Sequence, residues 1–240
     1  MKAVLLVGHG SRKKSANEQF VNFAHKVGQK CETKLFRYAF LELAVPSILG
    51  EVKICVEKGA KEIVVFPLLL LSAGHAKHDI PEVLKKAKKL YPNIKFQLEN
   101  PLGRQNAIFN ILQERLIEKQ FQIERNSLVI FVGRGSYDKE AIAEFTRISD
   151  HLGEKLRPAD VQCCFLVGGE ESFENKIKSA RQSSYEHIYI LPYLLFNGIL
   201  FKRIQQSVSE MNDQRFIVSE TIGSDQRLVD LVARLINQVL

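Results

Sequence analysis

Three side chains able to bind a metal or move a proton stand at successive steps of 33 residues: His9, Glu42 and His75. An imidazole takes up a proton near neutral pH and binds divalent ions through a ring nitrogen. A carboxylate can share either task. Two imidazoles and one carboxylate are too few donors for a closed structural zinc site, which takes four ligands. They suit an open site that holds Fe²⁺, Co²⁺ or Ni²⁺ weakly and passes it on.

The chain carries its own control, because its first half recurs at a constant offset of 125 positions. Val4-Leu5-Leu6-Val7-Gly8-His9-Gly10-Ser11 falls on Val129-Ile130-Phe131-Val132-Gly133-Arg134-Gly135-Ser136, Phe40-Leu41 on Phe165-Leu166, and the run from Ile63 to Leu70 on Ile188 to Leu195. In this frame His9 becomes Arg134, Glu42 becomes Val167 and His75 becomes Leu200, while the apolar runs and turn glycines persist. The scaffold is duplicated, and the reactive groups sit in one copy. A lone histidine or loop acid would ordinarily be a solvated surface group; the joint loss of all three sets them apart. Gly8, Gly10 and Ser11 survive duplication, so they read as architecture: glycines for a sharp turn, and Ser11 to cap the helix that follows. His78 forms an HxxH pair with His75, but Asp79 begins a helix there and a capping-turn role is the expectation. His25, His151 and His187 lie in helical or strand-start contexts and are assigned no role.

What positions these groups is an alternation of short β-branched or Leu-rich runs with longer amphipathic ones. It predicts strands near 3–8, 33–40, 61–67 and 94–98 and helices near 14–30, 46–58, 79–90 and 104–119. The second half predicts strands near 127–132, 161–167, 187–192 and 215–219 and helices near 138–156, 171–183, 200–211 and 224–239. Such alternation implies parallel sheets covered by helices on both faces. The expected fold is α/β: two duplicated four-stranded parallel-sheet domains, residues 1–122 and 123–240, facing each other across a cleft. Ligands of open parallel sheets bind beyond the carboxyl ends of the strands. His9, Glu42 and His75 all follow strands, so they converge on one edge of the first domain. Asp79, with Pro81 just inside the next helix, is expected to supply a side-chain cap there.

Composition narrows the partners. With 45% hydrophobic and 25% charged residues the chain reads as a soluble protein. Its net charge of +7 draws anions. Lys85, Lys86, Lys88 and Lys89 read as a solvated helix face, and no basic run interleaved with aromatics suggests nucleic-acid binding. The apolar run from Ile63 to Ala73 is about half of the ~20 residues a membrane span needs, and Ala3–Val7 ahead of Arg12 is too short for a signal peptide. No membrane association is expected. Cys31, Cys55, Cys163 and Cys164 show no CxxC spacing, which points to a reduced, cytoplasmic setting. Two fused repeats make a monomer sufficient.

These motifs carry a resemblance. Val7-Gly8-His9-Gly10-Ser11-Arg12, Phe40-Leu41-Glu42 with Pro46-Ser47-Ile48, and Phe66-Pro67-Leu68-Leu69-Leu70 through Ser72-Ala73-Gly74-His75 to Asp79-Ile80-Pro81 resemble the class II tetrapyrrole chelatases, and among them the sirohydrochlorin chelatases of the CbiX and SirB type. The likeness extends into the second half, including Leu191-Pro192-Tyr193-Leu194-Leu195-Phe196. It implies insertion of a divalent metal into sirohydrochlorin without an organic cofactor, with His9 and His75 as the metal-binding, catalytic histidines and Glu42 as the acidic catalytic residue. It also implies that the loop with Leu70, Leu71, Ser72, Ala73 and Gly74 lies against the macrocycle. On charge grounds Arg12, with Arg134, Lys202 and Arg203 from the second repeat, is expected to pair with the carboxylates of that substrate, and Ser11 to lie in its binding site. The chain shows neither a histidine-rich tail nor an added cysteine cluster, features of some cobalt-inserting relatives, and so points to iron and siroheme synthesis. The alternatives are a cobaltochelatase of cobalamin synthesis and a non-enzymatic tetrapyrrole or metal carrier. A histidine phosphatase is disfavoured because Gly8 stands where such enzymes place a phosphate-binding arginine.

Overall fold

The computed structural model describes residues 1–71, 78–103, 105–121 and 124–240. The chain runs β1 (Lys2–Gly8), α1 (Lys14–Gly28), β2 (Phe36–Phe40), α2 (Ile48–Glu57), β3 (Glu62–Pro67), α3 (Ile80–Leu90), β4 (Lys95–Leu98) and α4 (Asn106–Ile117). It continues through β5 (Ser127–Gly133), α5 (Lys139–Lys155), β6 (Asp160–Phe165), α6 (Phe173–Arg181), β7 (His187–Pro192), α7 (Ile199–Met211), β8 (Phe216–Val218) and α8 (Gln226–Asn237). Two four-stranded sheets result, ordered β2-β1-β3-β4 and β6-β5-β7-β8, with every pairing parallel.

The central strands lack polar alternation because both of their faces are covered. In β1 every residue from Ala3 to Gly8 is buried, and β5 is buried throughout. Ala3, Leu5 and Val7 share a core with Val52 and Cys55 of α2 and Ile80 and Leu84 of α3. Leu128, Ile130 and Val132 do the same with Phe173 and Ile177 of α6 and Ile204 and Val208 of α7. Each large aliphatic side chain so buried contributes about 1.5–3 kcal/mol.

The repeat extends to single hydrogen bonds. Ser47 caps α2 by accepting from Gly50 N at 3.2 Å, and Ser172 caps α6 by accepting from Asn175 N at 3.2 Å. Two expected caps are corrected. Ser11 Oγ accepts from Lys13 N at 3.1 Å and closes a short turn, while Lys13 occupies the N-cap of α1 without a side-chain cap. Asp79 already has helical backbone angles and makes no cap bond, because residues 78 and 79 are wound into the turn ahead of α3. Pro81 sits in the first turn as expected.

The two compact units do not coincide with the expected sequence halves 1–122 and 123–240. One unit comprises Met1–Gly103 with Gln226–Leu240, the other Arg104–Asp225. The final helix of each repeat has thus changed sheets. In the first unit α8 packs on α1. Lys30 Nζ lies 2.8 Å from Asp230 Oδ1, Asn237 Nδ2 donates to Lys30 O at 3.0 Å, and Glu32 N donates to Asn237 Oδ1 at 2.9 Å. The positions of α4's repeat that correspond to Asp230 and Asn237 hold Gln105 and Leu112, which cannot supply those charges and acceptors. In the second unit α4 lies on β7, and Arg115 Nη2 stands 3.4 Å from Asp225 Oδ2, both groups buried. Among the described residues no helix is long and apolar enough to cross a membrane.

Candidate active site

The first unit brings His9 and Glu42 together by continuing a strand pairing past the end of the strands. Beyond β1 and β2, Leu41 N donates to Gly8 O at 2.8 Å and Glu42 N donates to His9 O at 3.1 Å. The two side chains are therefore held at one carboxyl edge of the sheet. Two glycines allow it. A Cβ on Gly8 would lie 2.7 Å from the Phe20 ring, and a Cβ on Gly10, whose φ is 92°, would lie 1.8 Å from Glu42 O. Gly10 is the point where one loop crosses the other with no room for a side chain.

His9 Nδ1 lies 3.1 Å from Gly10 O. A carbonyl only accepts, so this contact places the proton of the neutral ring on Nδ1 and makes Nε2 its basic nitrogen. That nitrogen stands 3.6 Å from Glu42 Oε1, with the side chains 27% and 46% exposed, so both are reachable by a solute. Two donors 3.6 Å apart can share one ion. With bonds of about 2.1 Å the angle at the ion is about 118°, within the range of an open site. A proton taken up by the ring is stabilised by the same carboxylate. Among the described residues no group of three or more His, Cys, Asp or Glu side chains gathers as a metal site.

The remaining expected site residues divide. His75, Ser72, Ala73 and Gly74 lie outside the described residues. Leu70 is buried, with 9% exposure, and Leu71 is half-buried. Ser11 has its hydroxyl engaged by Lys13 N and its carbonyl by Asn17 Nδ2 at 2.8 Å, which fits a turn-forming role. Arg12 is exposed beside the His9 loop. In the second unit Arg134 and Lys202 are exposed. Arg203 is otherwise occupied: its Nε and Nη2 donate to Glu174 Oε1 at 3.0 and 2.6 Å, and its Nη1 donates to Leu166 O at 2.9 Å. These bonds tie α7 to α6 and the β6 exit and give Arg203 a structural partner in Glu174. His151 packs edge-on against Phe109 and His25 against Tyr38.

The second unit repeats the crossing without the chemistry. Leu166 N donates to Gly133 O at 3.1 Å and Val167 N donates to Arg134 O at 2.9 Å. Gly135, at φ 86°, would place a Cβ 1.8 Å from Val167 O. What sequence reasoning missed was the residue after Glu42. Leu43 is held at φ 61°, where the second unit has Gly168 at φ 64°. A leucine aligned with a glycine across the repeat was the available signal.

Known proteins share this architecture. A profile of the CbiX family matches residues 3–119 and 128–239. The chain is 34% identical to a sirohydrochlorin ferrochelatase of Priestia megaterium over 242 residues, spanning 100% of this chain and 91% of that one. It is 33% identical to a sirohydrochlorin cobaltochelatase of the same organism over 218 residues, covering 89% of this chain and 71% of the relative. The solved structure of SirB from Bacillus subtilis with Fe³⁺ superposes with a TM-score of 0.88 at 30% identity, over 97% of this chain and 93% of that one. A duplicated parallel-sheet scaffold, a histidine and a glutamate joined at one strand-exit edge, and a profile match across both repeats lead to one assignment: the chain belongs to the CbiX family.

Proposed function

We propose that this protein is a sirohydrochlorin chelatase that inserts a divalent metal, in the first place Fe²⁺, into sirohydrochlorin for siroheme biosynthesis. The observation that carries this reading is His9 Nε2 facing the Glu42 carboxylate across 3.6 Å, in a CbiX-family chain whose likeness to a named sirohydrochlorin ferrochelatase runs over its whole length. Metallation removes pyrrole N–H protons and delivers the ion to the ring nitrogens. It needs a base and a weak metal donor at one place. His9, with its proton on Nδ1, accepts a pyrrole proton or holds the ion at Nε2. Glu42 stabilises the imidazolium so formed and, half exposed, hands the proton to solvent. His75 binds the incoming ion.

Arg12, Arg134 and Lys202 are the basic groups for the carboxylate rim of the substrate, and charge-assisted bonds suit that task. Ser11 shapes the loop that presents His9; Leu71, Ser72, Ala73 and Gly74 are the macrocycle contacts of the β3 exit. Leu70 and Arg203 are not carried into this reading. Metal and sirohydrochlorin are the substrates of a protein that works as a monomer in the cytoplasm, with no nucleic-acid or membrane partner. A reducing compartment accords with four cysteines free of disulfides, of which burial pushes the Cys31 and Cys55 thiols up to about 11.

A cobalt-inserting role is the second reading, favoured by the 33% identity to a cobaltochelatase and by a donor set that takes Co²⁺ as readily as Fe²⁺. Anaerobic absorbance assays with sirohydrochlorin and each ion in turn test both. The wild type is expected to metallate the ring, fastest with Fe²⁺, and His9→Ala to slow insertion by about 10²–10⁴-fold with its melting temperature retained. Wild-type turnover in His9→Ala would overturn the assignment, and a pronounced preference for Co²⁺ would transfer it to the cobalt reading.

A further inference from the structure

Leu43 directly follows Glu42 and sits at φ 61°. Its Cβ is crowded in that left-handed conformation, which glycine adopts freely. The second unit meets the same demand with Gly168, at φ 64°. Both loops therefore require the conformation, and only the unit with the histidine places a leucine in it.

Packing does not explain the choice. Leu43 is 51% exposed, and Val45, two residues further on, is 84% exposed. An apolar side chain that bears backbone strain and stays in water brings little to the folded protein by itself. Such strain gathers at functional sites. Here it lies one residue from a carboxylate held 3.6 Å from His9 Nε2. A hydrated metal ion gains nothing from leucine or valine, whereas a broad ring with an apolar body does.

The geometry points to Leu43 and Val45 as substrate-contact residues: they bury against the apolar face of the tetrapyrrole while its nitrogens are served by His9 and Glu42. The inference rests on the chelatase reading above and adds residues that set affinity for the ring, separately from those that handle metal and protons. The loop is well placed for this, because the crossing at Gly10 fixes Glu42 O and hence the start of the Leu43 segment.

The test uses the full chain and metal-free sirohydrochlorin, titrated anaerobically by absorbance, with Leu43→Ala, Leu43→Gly and Val45→Ser. Both Leu43 variants are expected to raise the ring Kd about tenfold and Val45→Ser about threefold or more. Binding of Co²⁺ alone should stay within twofold of wild type. Leu43→Gly should melt about 2–4 °C above Leu43→Ala, since glycine relieves the backbone. A ring Kd within twofold of wild type in Leu43→Ala and Val45→Ser would overturn the proposal, as would a Leu43→Gly variant no more stable than Leu43→Ala. Should the Leu43 variants fail to fold, Val45→Ser decides alone. A wild type that binds the ring yet inserts no metal would sink the chelatase reading and leave this contact standing; one that metallates normally beside unaffected variants would sink the contact alone. A wild type with no affinity for the ring would sink both.

Discussion

Gly10→Ala tests whether the loop crossing is what makes the site. A new Cβ would lie 1.8 Å from Glu42 O, whereas real Cβ contacts stay beyond 3.0 Å, so the two loops must separate by about 1.2 Å. Alanine at φ 92° costs about 1–2 kcal/mol, and loss of the Glu42 N to His9 O bond about 1 kcal/mol more. The sum of roughly 2–3 kcal/mol lowers the melting temperature by about 5–10 °C. The effect on chemistry should be larger. If the 3.6 Å between His9 Nε2 and Glu42 Oε1 widens by the same amount, it reaches about 4.8 Å, and two bonds of about 2.1 Å can no longer meet at one ion. Turnover should fall about 10²-fold. Gly135→Ala is the internal control, with φ 86° and a Cβ 1.8 Å from Val167 O. It should lose as much stability while kcat stays within about threefold. Calorimetry reads the loss of stability, and anaerobic metallation, run below the lower of the two transitions, reads turnover. Equal losses of turnover in the two variants, or wild-type kcat in Gly10→Ala, would refute the reasoning.

Two further outcomes separate binding from scaffolding. Arg134→Ala should raise KM for sirohydrochlorin about 5–10-fold with kcat little changed, and the penalty should shrink with added salt. Arg203→Ala, which loses its bonds to Glu174 and Leu166 O, should instead lower stability by about 1 kcal/mol and leave KM within twofold. A greater KM increase in Arg203→Ala than in Arg134→Ala would reverse the assignment. For α8, the hydrogen bond from Lys30 holds the Asp230 carboxyl below its usual range. A depressed carboxylate stabilises the fold above its unfolded pKa of about 3.9, and that contribution vanishes as pH falls through the folded value. The pair is half exposed, at 49% and 52%, so Asp230→Asn should cost only about 0.2–1 kcal/mol at pH 7. Urea unfolding should show the gap closing as pH falls from about 5 through the folded value; a gap that stays constant or widens would contradict the sign.

Much of the fold was legible because apolar periodicity is a local property, and the misses occur where distant contacts decide. Strand β2 was expected from residue 33 but starts at Phe36, since Thr33 Oγ1 donates to Lys2 O at 3.1 Å and accepts from Leu35 N at 3.2 Å, forming a turn. Helix α8 was expected from residue 224 but starts at Gln226, because Ile222–Ser224 winds a separate 3₁₀ turn. The exchange of α4 and α8 left no mark in periodicity; it shows in long-range contacts such as those of Asp230 and Asn237 with Lys30. In the same way the charge of Arg203 was readable and its partner Glu174 was not.

The repeat also shows how scaffold and chemistry diverge under duplication. Arg37 Nη2 donates to Glu51 Oε1 at 3.0 Å between β2 and α2. At the matching positions of the second unit, Lys176 Nζ donates to Gln162 Oε1 at 3.2 Å. Both residues changed, the cation moved from strand to helix, and a donor still meets an acceptor. A contact needed to dock a helix is kept by compensation, since a buried acceptor without a donor costs about 1–3 kcal/mol. His9 and Glu42 followed another course. Their counterparts Arg134 and Val167 keep the backbone bond between the loops, at 2.9 Å, but offer no complementary pair of side chains. Had the imidazole and carboxylate been there to brace the loops, the second copy would be expected to hold a substitute. Its backbone crossing suffices without one, which supports the proposed role of the first unit's side-chain pair in acting on a ligand.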